Sequence, residues 1–172
     1  MDILEKLKTV SIRGRVAFVI HCIQNIPELT KQDDTIVTLI LSRAWEFVEG
    51  NNIIGGYENF LDVTPECILD PKVDISELNT INEETYYSLN SLFTSLPGQV
   101  NKLIDNISYI MCSNLYSRVD DYSAITLTYL SEVILLMIEN QWALPEVSIF
   151  FNSSIEDNEG WGFPTDRKKF HL

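Results

Sequence analysis

The chain holds two histidines, His21 and His171, and three cysteines, Cys22, Cys67 and Cys112. Nucleophilic, acid–base or zinc chemistry must therefore draw on these few groups or on the carboxylates. His21 and Cys22 are neighbours in a helical stretch, where adjacent side chains diverge by about 100°. They cannot face each other as a nucleophile and its base must. His171 stands in the C-terminal tail. The cysteines are odd in number, widely separated and without a C-x-x-C pair, a pattern of a reducing compartment rather than a disulfide framework. No H-E-x-x-H, G-x-S-x-G, P-loop or G-x-G-x-x-G motif occurs, and Gly55-Gly56 is not followed by the Lys-Ser or Lys-Thr of a phosphate cradle.

Carboxylates are abundant. The pairs Asp33-Asp34, Glu83-Glu84 and Asp120-Asp121 each fall at an expected helix start, where side-chain oxygens cap free amides and negative charge opposes the helix dipole. Glu156 to Gly160 has the composition of a calcium loop but lacks its alternating ligands and closing glutamate. These residues predict no enzyme, no metal site and no cofactor. A small hydrolase using clustered carboxylates and a metal is the least supported reading.

Charge is more informative. With 12 basic against 25 acidic residues the formal net charge is −13, which disfavours direct nucleic-acid binding, since that depends on Lys and Arg neutralising phosphates. Ten acids lie between Arg43 and Lys102 against Lys72 alone, and Val119 to Asp166 holds nine acids with no Lys or Arg. If helices from these regions pack side by side, one face of the molecule is strongly negative and suits a basic partner. Residues 62–79 concentrate the signal. Pro65 and Pro71 interrupt any helix there, so the spacing predicts an acidic loop or arm with one short helix near Ile75, and loops of that length are commonly functional. Glu66, Asp70, Asp74 and Glu77 are its candidate partner-binding residues.

The elements that must carry this loop are helical. Asp33 to Gly50 places Ile36, Val37, Ile40, Leu41, Ala44, Trp45, Phe47 and Val48 on one half of a cylinder, wide enough for two neighbouring helices. Asp33 or Asp34 is its expected cap and Gly50 its left-handed stop. This reads as the central helix. Ser11 to Ile26 forms another, with Arg13, His21, Gln24 and Asn25 turned away from its apolar stripe and Pro27 closing it. NNIIGG at residues 51–56 reads as a connector before a further helical turn through Tyr57, Phe60 and Leu61.

A helix through Tyr86, Leu89, Leu92, Phe93 and Leu96 begins with Thr80 and Glu83 as a capping box. Pro97 opens the next, whose stripe runs from Val100 to Leu115 and includes Asn114. Asp120 or Asp121 caps a last helix through Leu127, Leu130, Val133, Ile134, Met137, Ile138 and Trp142, apolar nearly all round in its second half and so expected to be as buried as the central one. Residues 152–172 read as an irregular tail anchored by Trp161 and Phe163. The fold class is all-α: one domain over residues 1–172, a helical bundle of about six to seven helices. Hydrophobic residues at 45% are enough to order it.

MDILEKLKTV is no signal peptide, and the apolar run Val133 to Ile138 is far short of the roughly 20 residues of a membrane span. A soluble, cytoplasmic protein without membrane contact is expected.

The segment Arg15-Val-Ala-Phe-Val-Ile-His-Cys-Ile, the Asp33-Asp34 helix start and Ala44-Trp45-Glu46-Phe47-Val48-Glu49-Gly50 together resemble an all-helical family of immunity proteins of bacterial polymorphic toxin and contact-dependent inhibition systems. The likeness covers about the first 60 residues. It implies a small cytoplasmic protein that binds and neutralises one cognate toxin domain and has no activity of its own. The stretch from Asp62 onward has no residue-by-residue match, and no family binding residue is carried over to this chain. An acidic, helical module agrees with an inhibitor of a basic toxin domain, such as a nuclease. The alternative is a helical adaptor or regulatory domain that takes a peptide or helix in an apolar groove. The oligomeric state is left open.

Overall fold

The computed structural model describes residues 2–32 and 34–171, with the side chain of Asp34 outside the description. Among these residues eight α-helices form a single all-helical bundle: α1 (Ile3–Leu7), α2 (Ile12–Gln24), α3 (Asp34–Glu49), α4 (Ile53–Leu61), α5 (Pro65–Ile68), α6 (Glu83–Ser95), α7 (Gly98–Cys112) and α8 (Ala124–Glu139). The number exceeds six or seven because α1 and α5 are single turns, too short to show a periodic stripe. The expected cap at Asp33 or Asp34 lies outside the described residues.

The centre of the fold is α2, not α3. Every residue from Ser11 to Ile20 is buried, and α2 packs against α3, α7, α8 and the 3₁₀ turn Val147–Phe150. Its apolar content alone understates this, because Arg13 and Arg15 read as a polar side yet are among the most buried side chains. The Arg13 guanidinium donates from Nη1 to the carbonyls of Phe47 (2.7 Å), Val48 (2.8 Å) and Gly50 (2.7 Å). Arg15 donates to Leu7 (3.1 Å), Lys8 (3.2 Å) and Ser123 (3.2 Å) carbonyls and to the Thr126 hydroxyl. One arginine thus caps the C-terminus of α3, and the other caps α1 and ties it to the start of α8. Cations are favoured at helix C-termini, where carbonyls lack partners and the dipole is negative. Burial lowers both guanidinium pKa values to about 10, still well above neutrality.

The stop of α3 follows from this. Gly50 is not left-handed; its amide continues the ladder to Glu46 (2.9 Å) while its carbonyl receives Arg13. The NNIIGG connector becomes helix, with the Asn52 side chain accepting from Gly55 (3.0 Å) as N-cap. Gly56 lets α4 cross α3 closely, since a Cβ there would sit 2.9 Å from the Cα of Phe47.

Three other starts differ from expectation. Asn82, not Thr80 with Glu83, caps α6 by accepting from Thr85 (2.9 Å). Pro97 is the N-cap of α7 rather than its first helical residue. Ser123, left-handed at φ 50°, precedes α8 while Asp120 and Asp121 remain exposed. Its hydroxyl instead donates to Asn114 (2.7 Å), whose amide reaches the Arg118 carbonyl (3.3 Å). Asn114 therefore closes the α7–α8 turn. The second half of α8 is less buried than its composition implies: Leu135 and Ile138 are 54% and 58% exposed.

The C-terminal segment is irregular but not loose. Ser11 and Ser153 exchange backbone (2.8 Å) and hydroxyl (2.6 Å) hydrogen bonds, and Ile155 donates to Thr9 (2.9 Å). Thr165 donates to Val48 (3.1 Å). Phe170 is fully buried while Phe163 is 61% exposed, so Phe170 and not Phe163 anchors the tail; Trp161 packs partly buried against Phe47.

Arg13→Ala should lower stability by about 3 kcal/mol, because among the described residues the Phe47 and Gly50 carbonyls lose their donor while Val48 keeps only the Thr165 amide. Arg13→Lys should recover only part of this, as a single ammonium cannot reproduce the planar fork. Trp45, 3% exposed, should cost about 3–5 kcal/mol as Trp45→Ala. Urea unfolding of the three variants measures both, and wild-type midpoints would exclude the assigned roles.

Candidate functional site

The acidic segment between α4 and α6 is a closed loop, not a free arm. Asp62 Oδ2 accepts from the amides of Asn79 (3.0 Å) and Thr80 (2.9 Å) and from the Thr80 hydroxyl (2.8 Å), so one carboxylate joins both ends. Compact loops with adjoining ends, packed by their own side chains, are often functional. Within it Thr64 caps α5 by accepting from Cys67 (3.3 Å), with Pro65 in the first turn. Val63, Thr64, Pro65 and Ile68 are buried. The Ile68 carbonyl accepts from Tyr86 (3.2 Å) and Asn90 (3.3 Å) of α6.

Glu66, Asp70, Asp74 and Glu77 are all exposed on this frame. Glu66 Oε2 accepts from the Tyr109 hydroxyl (2.8 Å), and the Glu66 amide donates to Asp105 Oδ1 (3.0 Å). Asp70 accepts from the Lys72 amide (2.9 Å) and Asp74 from the Ser76 amide (2.9 Å) and hydroxyl (2.7 Å). The Ser76 bonds hold the Asp74 carboxyl below its ordinary pKa. Each aspartate therefore shapes a turn and still presents an oxygen outward. None of the four takes part in a salt bridge among the described residues. The short helix expected near Ile75 is the 3₁₀ turn Ile75–Glu77.

Asp105 and Tyr109 of α7 were not foreseen. Burial, then the charge of Glu66, pushes the Asp105 carboxyl up to about 6 against the lowering effect of the Glu66 amide. The Tyr109 hydroxyl is likewise raised, first by burial and then by Glu66. The available signal was an acid flanking the apolar stripe of α7. Helix α7 lies between helices of the two acidic regions, packing on both α5 and α8 and offering Lys102 to Glu132 (3.2 Å).

A second feature lies between α3 and α6, a groove of about 550 Å³ lined by Ile36, Tyr87, Ser88, Ser91, Leu92 and Ser95. A third is an aromatic cluster at the tail. His21 meets Trp45 (5.9 Å between ring centres), Phe150 (5.4 Å) and His171 (5.3 Å) edge to face. Arg167 lies over Trp45 at 5.5 Å and pairs with Glu49 through Nε (2.9 Å) and Nη2 (2.7 Å). His21, expected to point away from its helix's apolar stripe, is thus packed among rings. Desolvation, then the proximity of His171, pushes its pKa down to about 4. Among the described residues no group of three or more His, Cys, Asp or Glu side chains is placed to hold a metal ion, and no helix is long and apolar enough to cross a membrane. The three cysteines are free.

No family model, curated protein or solved structure matches this chain.

A raised carboxyl pKa makes folding less favourable as the group ionises. Between about 4, its unfolded value, and about 6 the folded state binds the extra proton, so Asp105 removes stability as pH rises through that window. Asp105→Asn keeps the acceptor for Glu66 and should stabilise the protein at pH 7 by about 1–2 kcal/mol, discounted for partial exposure. Below pH 4 the gain should vanish. Thermal unfolding from pH 4 to 7 tests this; a constant difference across the range would remove the charge explanation.

Proposed function

We propose that this chain is an immunity-type protein, a binding module without an activity of its own that neutralises one cognate toxin domain through the acidic loop of residues 62–80. The observation that carries the reading is the set of four exposed carboxylates held, among the described residues, without salt-bridge partners on a loop clamped at both ends. Such a surface loses little conformational freedom on binding. Its negative field speeds encounter with a basic partner, as a nuclease domain built to hold nucleic acid is. The resemblance in residues 15–50 supports the same class, and a reducing, cytoplasmic setting agrees with three free thiols. No nucleic acid and no membrane is assigned as partner.

A helical adaptor is the second reading, supported by the groove between α3 and α6. Its row of serines would meet a polar edge of a bound segment while Ile36 and Leu92 meet its apolar side.

The product of the neighbouring gene should copurify with this chain and lose its toxicity on binding. Glu66→Gln, Asp70→Asn, Asp74→Asn and Glu77→Gln combined would remove four charges yet keep the turn-forming acceptors, so folding should be nearly unchanged. Lysine reversals would not be as neutral, since Asp70 and Asp74 accept backbone amides. Association should slow roughly tenfold or more at low salt, with the gap closing as salt screens the field. Equal association rates at low salt would take the loop out of the interface. Loss of binding on Tyr87→Ala alone would favour the groove.

A further inference from the structure

The chain's two histidines come from its opposite ends, yet their rings lie 5.3 Å apart between centres with planes inclined by 61°. Two imidazoles that share one ion at metal–nitrogen bonds of about 2.0–2.1 Å place their ring centres roughly 5 Å apart. The Nε2 of His21 is sealed from solvent and has no hydrogen-bond partner among the described residues. Buried polar atoms are nearly always satisfied, and an orphaned one calls for a missing partner. His171 is exposed, so its ring is free to turn either nitrogen towards His21.

We propose that His21 and His171 form a two-imidazole site for a divalent transition ion of the zinc and copper class, which fastens the C-terminal segment onto α2. Imidazole suits these ions, whereas calcium and magnesium take oxygen ligands. Neutral imidazole is the binding form, and burial favours that form of His21. Arg167, which lies over the same Trp45 that His21 meets, is held and offset by Glu49. No third His, Cys, Asp or Glu joins the pair among the described residues, so water arriving from the exposed His171 side completes the coordination, opposite the sealed His21 nitrogen. The ion would add to contacts already present: Phe170 packed at 5.7 Å from Phe150, and Arg167 on Trp45. This surface is distinct from the acidic loop.

Copper(II), the strongest binder of the divalent first-row ions, is the probe. The intact chain titrated with copper(II) should take up one ion at this site. Its paramagnetic resonance spectrum should show coupling to two imidazole nitrogens, unaffected by excess calcium. His171→Ala, an exposed position that leaves the fold intact, should lose one of the two couplings and weaken binding at least about tenfold. His21→Gln should likewise leave a single coupling, from His171, and weaken binding by a similar factor. A wild-type spectrum with oxygen ligands only, displacement of the copper by calcium, or an unchanged spectrum and affinity in His171→Ala would overturn the proposal.

Discussion

Two guanidinium groups are buried on one helix and form no ion pair among the described residues, and the bundle is arranged around satisfying them. A charge taken out of water is costly unless other dipoles replace its hydration. Here the replacement is the set of carbonyls at the ends of α1 and α3 together with the opening of α8. Among the described residues the Phe47 and Gly50 carbonyls have no other donor, so at the end of α3 one contact meets two needs. The arrangement also sets position: α3 must end where Arg13 reaches it, and α1 must end where Arg15 does. Hydrophobic burial supplies the driving force for collapse, but it is non-directional. The arginines add direction.

Around that centre the chain closes on itself. The serine pair at residues 11 and 153 sits at the first turn of α2, where Gly162, at φ 76°, passes too close for any side chain. Phe170 then fills the space beside Trp45 and Phe150. The segment after α8 is therefore a structural element without regular helix, covering α2 where no other helix lies. His21 and His171 meet as a consequence of this closure.

The acidic loop obeys a different logic. Its inner side is apolar and fully engaged, through Val63, Pro65 and Ile68, while its outer side carries charge that the rest of the surface does not neutralise. Asp62, Asp70 and Asp74 spend part of their acceptor capacity on backbone amides. That use fixes the turns of the loop and with them the positions of its outward carboxylates.

Helical class, the stripes of α6 and α7, the burial of Trp45 and the exposure of Glu66, Asp70, Asp74 and Glu77 were all legible in the sequence, because periodicity and local charge record which side of an element meets water. Caps were legible only in part. Asn52 and Asn82 displaced the expected turn and capping box, since several neighbouring residues can offer an oxygen and local geometry selects one. Three features belong to tertiary structure alone: the central place of α2, the approach of the two histidines, and the closure of the acidic loop by one carboxylate. Each joins residues distant in sequence. Arg13 reads as surface in a one-dimensional pattern because the carbonyls that make its burial possible belong to Phe47, Val48 and Gly50. Periodicity reports a residue's own polarity and says nothing of the partner that folding will bring to it.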